Sequence, residues 1–279
     1  MDAISTKPQP IGIDIVASIP VKTDDAAIIS PTSALSYKST GPSDLIRYWK
    51  GTGNITFKTS GSTFESKALE ITPEQLQARV DRAIQARGST FSNYQSIYIG
   101  INPNNTVAVI HKIAMLQRGG KVYLEDSTNI DKSLQMCADN NVESALLSTK
   151  NATFQKYLDS SSTYKFQSVY LVGGLCDRKT LVLVNDKLGP VQFNYGCSEV
   201  GPISTCDFET SQLFENCVGT ILPDLVVKID DASGEILVQN NPSFTGTFAI
   251  EAYNSKDGWV HTGDKGHFEG ELLIVEGRL

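Results

Sequence analysis

The chain has 279 residues, 40% of them hydrophobic and 20% charged, and a formal net charge of -7. That length can bury a large core and suggests one large or two ordinary domains. The acidic balance argues against nucleic acid or an anionic membrane as a partner, because either needs a basic face. No run approaches the roughly 20 apolar residues of a membrane helix, and residues 1–5 lack the basic-then-apolar pattern of a secretory signal. A cytoplasmic protein is expected. Cys137, Cys176, Cys197, Cys206 and Cys217 are odd in number with no close pair, which fits reduced thiols. His111, His261 and His267 are likewise scattered, so no His/Cys zinc spacing is present.

Residues 1–40 are rich in Ser, Thr, Pro and Asp and define no element. Strand-like runs at 55–58 and 68–71 then flank Thr59-Ser60-Gly61-Ser62-Thr63-Phe64-Glu65-Ser66-Lys67. Thr72-Pro73-Glu74-Gln75 reads as an N-cap with Pro at the first helical position and Gln closing a capping box. The helix should run to Arg87 and stop at Gly88, with Leu76, Val80, Ala83 and Ile84 on its buried stripe. Strands at 96–99, 121–124, 144–147, 168–171 and 191–194 then alternate with helices near 104–117, 130–139, 152–158 and 178–186. That rhythm predicts right-handed crossovers and a mostly parallel sheet covered by helices on both faces. His111 falls in the apolar run of the second helix and reads as a pocket or core residue rather than a catalytic base. Beyond about Thr205 the runs become short and β-like: 226–229, 235–238, 247–252, 259–261, 265–269 and 272–276. They predict a smaller antiparallel, barrel-like part, so residues 1–205 and 206–279 are expected as two portions of one α/β catalytic domain.

The 59–67 segment carries chemistry suited to a phosphate. Its Gly lets backbone N–H groups turn toward an anion, its hydroxyls add donors, and Lys67 adds a point charge. It is not a Walker loop, which needs Gly where Ser66 stands and Ser or Thr where Ala68 stands, with a helix following. The same residues also suit an ordinary hairpin turn. Two later segments bear on the choice: Asn194-Tyr195-Gly196-Cys197-Ser198-Glu199-Val200-Gly201, and Asp257-Gly258-Trp259-Val260-His261-Thr262-Gly263-Asp264 with Gly277-Arg278 close behind.

In that order the three motifs resemble the adenylate-forming superfamily of acyl-CoA synthetases and aryl-acid ligases, from about Ile55 to Leu279. The resemblance implies attack of a carboxylate on the α-phosphate of MgATP, giving an acyl-adenylate and pyrophosphate. Transfer to the thiol of CoA, or of a carrier protein's phosphopantetheine, would follow. It assigns Thr59, Ser60, Gly61, Ser62, Thr63 and Lys67 to the β- and γ-phosphates, Gly173 and Gly174 to the adenine-flanking turn, and Tyr195 to stacking on adenine. Ser198 would bond the α-phosphate and Glu199 would ligate Mg²⁺. Asp264 would accept from the ribose hydroxyls with Arg278 assisting. The acid would lie against the helix at 109–116 and against Val172, Gly174, Tyr195, Gly196 and Ile203. The chain departs from the family pattern at Phe64, where relatives carry Gly, and at Ser66, where they carry Pro. It also ends where relatives begin the hinge to a small lysine-bearing domain, so that domain is expected to be absent. Those departures motivate an alternative, a non-catalytic module that binds nucleotide or acyl ligand.

Overall fold

The computed structural model describes residues 27–29, 55–58, 68–71, 73–103, 105–197, 199–240, 255–256 and 258–279. The expected strand at 247–252 and the 59–67 segment lie outside them. β1 (Ala27–Ile29) precedes the antiparallel pair β2 (Ile55–Lys58) and β3 (Ala68–Ile71), in which Lys58 faces Ala68. The two runs flanking the Ser/Thr/Gly segment are therefore the arms of one hairpin.

Helix α1 (Pro73–Ala86) begins at the expected proline. It buries Leu76, Val80 and Ala83, and Arg79 and Arg82 are buried with them. The chain does not leave helical structure at Gly88. A second short helix, α2 (Gly88–Asn93), follows at once and carries Phe91 and, just beyond its end, Tyr94 into the core. After β4 (Ser96–Gly100), α3 (Thr106–Leu116) starts two residues later than expected, because the Asn105 side chain accepts the Val107 N–H and caps it there. The remaining units are β5 (Lys121–Leu124), α4 (Ile130–Asp139), β6 (Ser144–Ser148), α5 (Phe154–Asp159), β7 (Ser168–Val172), α6 (Arg178–Leu188) and β8 (Val191–Cys197).

β1, β5, β4, β6, β7 and β8 lie side by side in that order, all parallel. Alternation along each strand sorts its residues between two cores. Ile97, Ile99, Leu146 and Tyr170 pack with α1, α2 and α3. Tyr98, Ala145, Leu147, Val169 and Leu171 pack with α4, α5 and α6. Helices thus cover both faces, as the sequence predicts for a parallel sheet.

The same sheet continues antiparallel through β9 (Gly201–Asp207), β10 (Cys217–Ile221), β15 (Leu272–Arg278), β14 (Trp259–Glu269), β12 (Glu235–Asn240) and β11 (Leu225–Ile229). The short helix α7 (Phe208–Ser211) joins β9 to β10, and β13 (Ser255–Lys256) pairs with β14. Antiparallel pairing begins at the β8–β9 hairpin, a few residues before the expected change near Thr205. β9 and β10 are not legible beforehand, since Pro202, Ser204, Thr205 and Gly219 break any apolar alternation. The strands expected at 259–261 and 265–269 are one strand, with the register shift against β12 between Glu235 and Leu237 absorbing the interruption. Its apolar face closes a third core with Val200, Ile203 and Val218. Among the described residues, no helix is long and apolar enough to cross a membrane.

Candidate nucleotide site

The C-terminal ends of parallel strands are where α/β sheets gather ligands, and three of the sequence motifs meet there. β7 ends in Gly173-Gly174, and its pairing with β8 through Leu171 and Phe193 puts that turn beside Tyr195. Gly173 has φ +93°, and an added Cβ would lie 2.5 Å from Ser148 Oγ; one on Gly174 would lie 2.8 Å from Lys150 Cε. The turn therefore packs on the end of β6 and the residues after it, and the positive φ of Gly173 favours glycine there.

Tyr195 Oη donates to Asp264 Oδ2 at 2.8 Å. This bond joins the last parallel strand to β14 across the site. Burial, then the Asp264 carboxylate, raises the Tyr195 phenol well above its ordinary range, so it stays a donor. The Tyr195 ring packs on the third core while remaining partly exposed. Asp264 is held on its other side by Arg278, whose Nη1 lies 3.1 Å from Oδ1 and donates to the Thr262 carbonyl. The two residues face each other across β14 and β15. Each carboxylate oxygen of Asp264 is thus engaged once and keeps a further lone pair for an incoming hydroxyl.

The irregular stretch of β14 that carries Asp264 has supports that its own motif does not disclose. Glu235 Oε1 accepts the Gly263 N–H at 2.8 Å, and its Oε2 pairs with His261 Nδ1 at 2.7 Å. Thr262 Oγ1 donates to the Ile236 carbonyl and accepts the Asp264 N–H. Glu235 lies some thirty residues upstream in a plain β-run, so only the strand pairing could have disclosed it.

The β8–β9 hairpin carries Glu199 and Ser198; the latter lies outside the described residues, as do Thr59, Ser60, Gly61, Ser62, Thr63 and Lys67. The hairpin is tight, since a Cβ on Gly196 would come within 2.3 Å of the Gly201 carbonyl oxygen. Burial, reinforced by Glu199, pushes the Cys197 thiol up to about 12 and leaves it no nucleophile. Two buried arginines on α1 grip this hairpin. Arg79 Nη2 donates to the Glu199 carbonyl at 2.7 Å, and Arg82 Nη1 to the Val200 carbonyl at 2.9 Å. Arg82 also pairs with Asp224 at 2.6 Å, their side chains 2% and 11% exposed. A signal for this was present: Arg79 and Arg82 interleave with Leu76, Val80 and Ala83 on one helical stripe, where a solvated charge does not belong. The helix that follows the Ser/Thr/Gly segment is thereby fixed to the hairpin that bears Glu199.

A two-sided parallel sheet running into an antiparallel part has counterparts of the same fold among solved structures. The chain is 30% identical to 4-coumarate–CoA ligase 1 of Glycine max in an alignment of 149 residues, covering 46% of this chain and 50% of that one. Its fold matches o-succinylbenzoate CoA synthetase (MenE) of Bacillus subtilis in complex with AMP, at a TM-score of 0.65 and 20% identity, over 80% of this chain and 49% of that one. It also matches the amide bond synthetase McbA of Marinactinospora thermotolerans, at a TM-score of 0.63 and 21% identity, over 88% of this chain and 51% of that one. No family model matches. The chain spans about half the length of each of these relatives.

The grip of α1 on the hairpin has a measurable consequence. Arg82→Leu leaves Asp224 buried without its partner and should cost about 3–5 kcal/mol in urea unfolding. Replacing both residues by leucine should recover a large part of that loss, which a mere packing role for Arg82 would not allow.

Proposed function

We propose that this chain binds MgATP and a carboxylic acid and supports formation of an acyl-adenylate with release of pyrophosphate, with a CoA or carrier-protein thiol as the acyl acceptor. The observation that carries the reading is the Tyr195–Asp264–Arg278 cluster beside the Gly173-Gly174 turn. A ribose between them would give its hydroxyls to the free lone pairs of Asp264, while the exposed edge of Tyr195 and the bare Gly-Gly backbone admit a flat base. The sequence relationship to a CoA ligase, and a like-folded enzyme described with ATP and magnesium, support the same assignment.

In this reading Ser198 bonds the α-phosphate, and Thr59, Ser60, Gly61, Ser62, Thr63 and Lys67 hold the outer phosphates. Glu199 is the acid of the 195–201 hairpin, half-buried at its turn, and no group of three metal-ligating side chains forms among the described residues. That donor set fits a hard cation held chiefly by phosphate oxygens and water, with one protein carboxylate. Bound Mg²⁺ would neutralise phosphate charge. The protein's own work is alignment: the Arg79 and Arg82 contacts fix the hairpin and the helix after the phosphate segment as one piece, so that acid oxygen and α-phosphate meet in line. Residues 1–205 would supply nucleotide and acid, and 206–279 would supply the ribose contact. The departures at Phe64 and Ser66 favour the second reading, a module that binds nucleotide without turnover.

Calorimetric titration separates the parts. The chain should bind AMP and ATP, and Asp264→Ala should weaken both by about 1–3 kcal/mol, as for the loss of hydrogen bonds to a charged group. An unchanged affinity removes Asp264 from the site.

Glu199→Gln keeps the shape and loses the charge that a hard cation needs. It should damage Mg²⁺-dependent ATP binding while sparing AMP, and Lys67→Ala should do the same because only the triphosphate reaches that segment. Equal losses for both nucleotides in either variant would argue against these roles.

A further inference from the structure

Among the described residues six large hydrophobic side chains are exposed, and five of them fall in two adjoining segments: Leu175, Val182 and Leu183 on and before α6, and Leu213 and Phe214 after α7. The sixth is Leu279. Single exposed apolar residues are ordinary, whereas a cluster of them marks a contact surface. The sequence explains the first segment. Leu181-Val182-Leu183-Val184 is an unbroken apolar run within α6, and successive helical residues point about 100° apart, so four in a row cannot all turn inward. Leu181, Val184 and Leu188 enter the core shared with α4 and α5, which leaves Val182 and Leu183 in water.

The two segments are tied together. Phe208 of α7 packs on the same core as Leu181 and Val184, and Arg178 Nε in the first turn of α6 lies 3.4 Å from Glu215 Oε2, the residue after Phe214. Val182 stands one helical turn beyond Arg178 on the same face, about 5–6 Å along it. Leu175 lies on the other side of Arg178 and follows the Gly173-Gly174 turn. The backbone that holds out Leu213 and Phe214 is pinned: the Leu213 N–H donates to the Thr210 carbonyl, the Cys217 N–H to that of Phe214, and the Asn216 carbonyl accepts from Val275 in β15. Apolar side chains presented on a fixed backbone lose little further freedom when a partner covers them.

Charge says what the partner is. Residues 207–216 carry Asp207, Glu209 and Glu215 and no Lys or Arg, and all three acids are exposed. The cations are on α6, which opens with Arg178 and an exposed Lys179; its acids, Asp177 before the first turn and Asp186 in the last, flank them. One edge of the apolar surface is thus acidic and the other carries the cations, which makes the face complementary to itself. A two-fold axis through its middle sets Lys179 of one copy against Glu209 of the other, and Leu183 against Leu213. The exposed parts of the five apolar side chains amount to on the order of 400 Å². Two copies with their polar rims come to about 1,200 Å², the lower end of specific interfaces. We propose that this face is the interface of a two-fold homodimer, in which α6 of each copy lies against the 207–215 strip of the other. It is independent of the adenylation reading.

Sedimentation equilibrium of the chain up to about 200 μM tests this, and the wild type should show a monomer–dimer equilibrium with Kd on the order of 10 μM, as suits an interface of that size. Leu183→Glu and Leu213→Glu should each weaken association at least about tenfold. Their thermal midpoints should match the wild type's, because both side chains are already in water. Lys179→Glu and Glu209→Lys should each self-associate about fivefold more weakly at low salt, since each sets like charges together twice across the axis. An equimolar mixture of those two variants should recover wild-type association, because in the mixed dimer every reversed charge meets its opposite. A wild type that stays monomeric at the highest concentration overturns the proposal and leaves the patch to a different domain or protein. A dimer that both leucine variants leave intact overturns it by placing the contact elsewhere, and a mixture no stronger than either charge variant alone overturns it by removing the two-fold pairing.

Discussion

The bond between Tyr195 and Asp264 spans 69 positions of sequence and joins the last parallel strand to the antiparallel part. Around it the candidate site is arranged. Asp264 can present lone pairs at this place because Arg278 holds its other oxygen and Glu235 and Thr262 fix the irregular stretch of β14 around it. Asp264, Glu235 and Thr262 have little access to water, so each is satisfied by a specific partner. A group moved by an ångström would leave another unpaired, so this irregular stretch of β14 is held rigid.

A second constraint acts from below. Arg79 and Arg82 reach from α1 to two successive carbonyls of the β8–β9 hairpin, and Asp224 holds Arg82 in place. Carbonyl acceptors are forgiving of side-chain identity, so the hairpin sequence can vary while its position cannot. The helix that exits the Ser/Thr/Gly segment and the hairpin that carries Glu199 therefore move together. Alignment of phosphates with an acid needs that kind of coupling between remote segments. Arg79 and Arg82 thus spend their hydrogen bonds on architecture.

The parallel half was legible because its strands are short apolar runs and its helices are amphipathic. The expected strand at 121–124 and helix at 130–139 coincide with Lys121–Leu124 and Ile130–Asp139. The antiparallel half was legible only where alternation survived. Pro202 and Gly219 concealed β9 and β10, and the irregularity at 262–264 split one strand into two apparent ones. Of the candidate site, Tyr195, Asp264 and Arg278 are joined by hydrogen bonds and an ion pair, and the Gly173-Gly174 turn follows the strand paired with β8. The supports, Glu235, Arg79 and Arg82, were not foreseen, because their roles depend on contacts 28 to 120 residues away. A charged residue in an apolar stripe is the signal that can be read in advance for such a role.

The central claim is that three segments far apart in sequence form one nucleotide surface. It is tested most directly by ¹⁵N-resolved chemical-shift mapping of the chain during titration with AMP. The account predicts that the amides of Gly173, Gly174, Gly196, Gly263 and Asp264 shift together along one binding curve, while those of α4 and α5 on the opposite face stay still. Shifts confined to one of the three segments, or absent from all of them at saturating AMP, would contradict it.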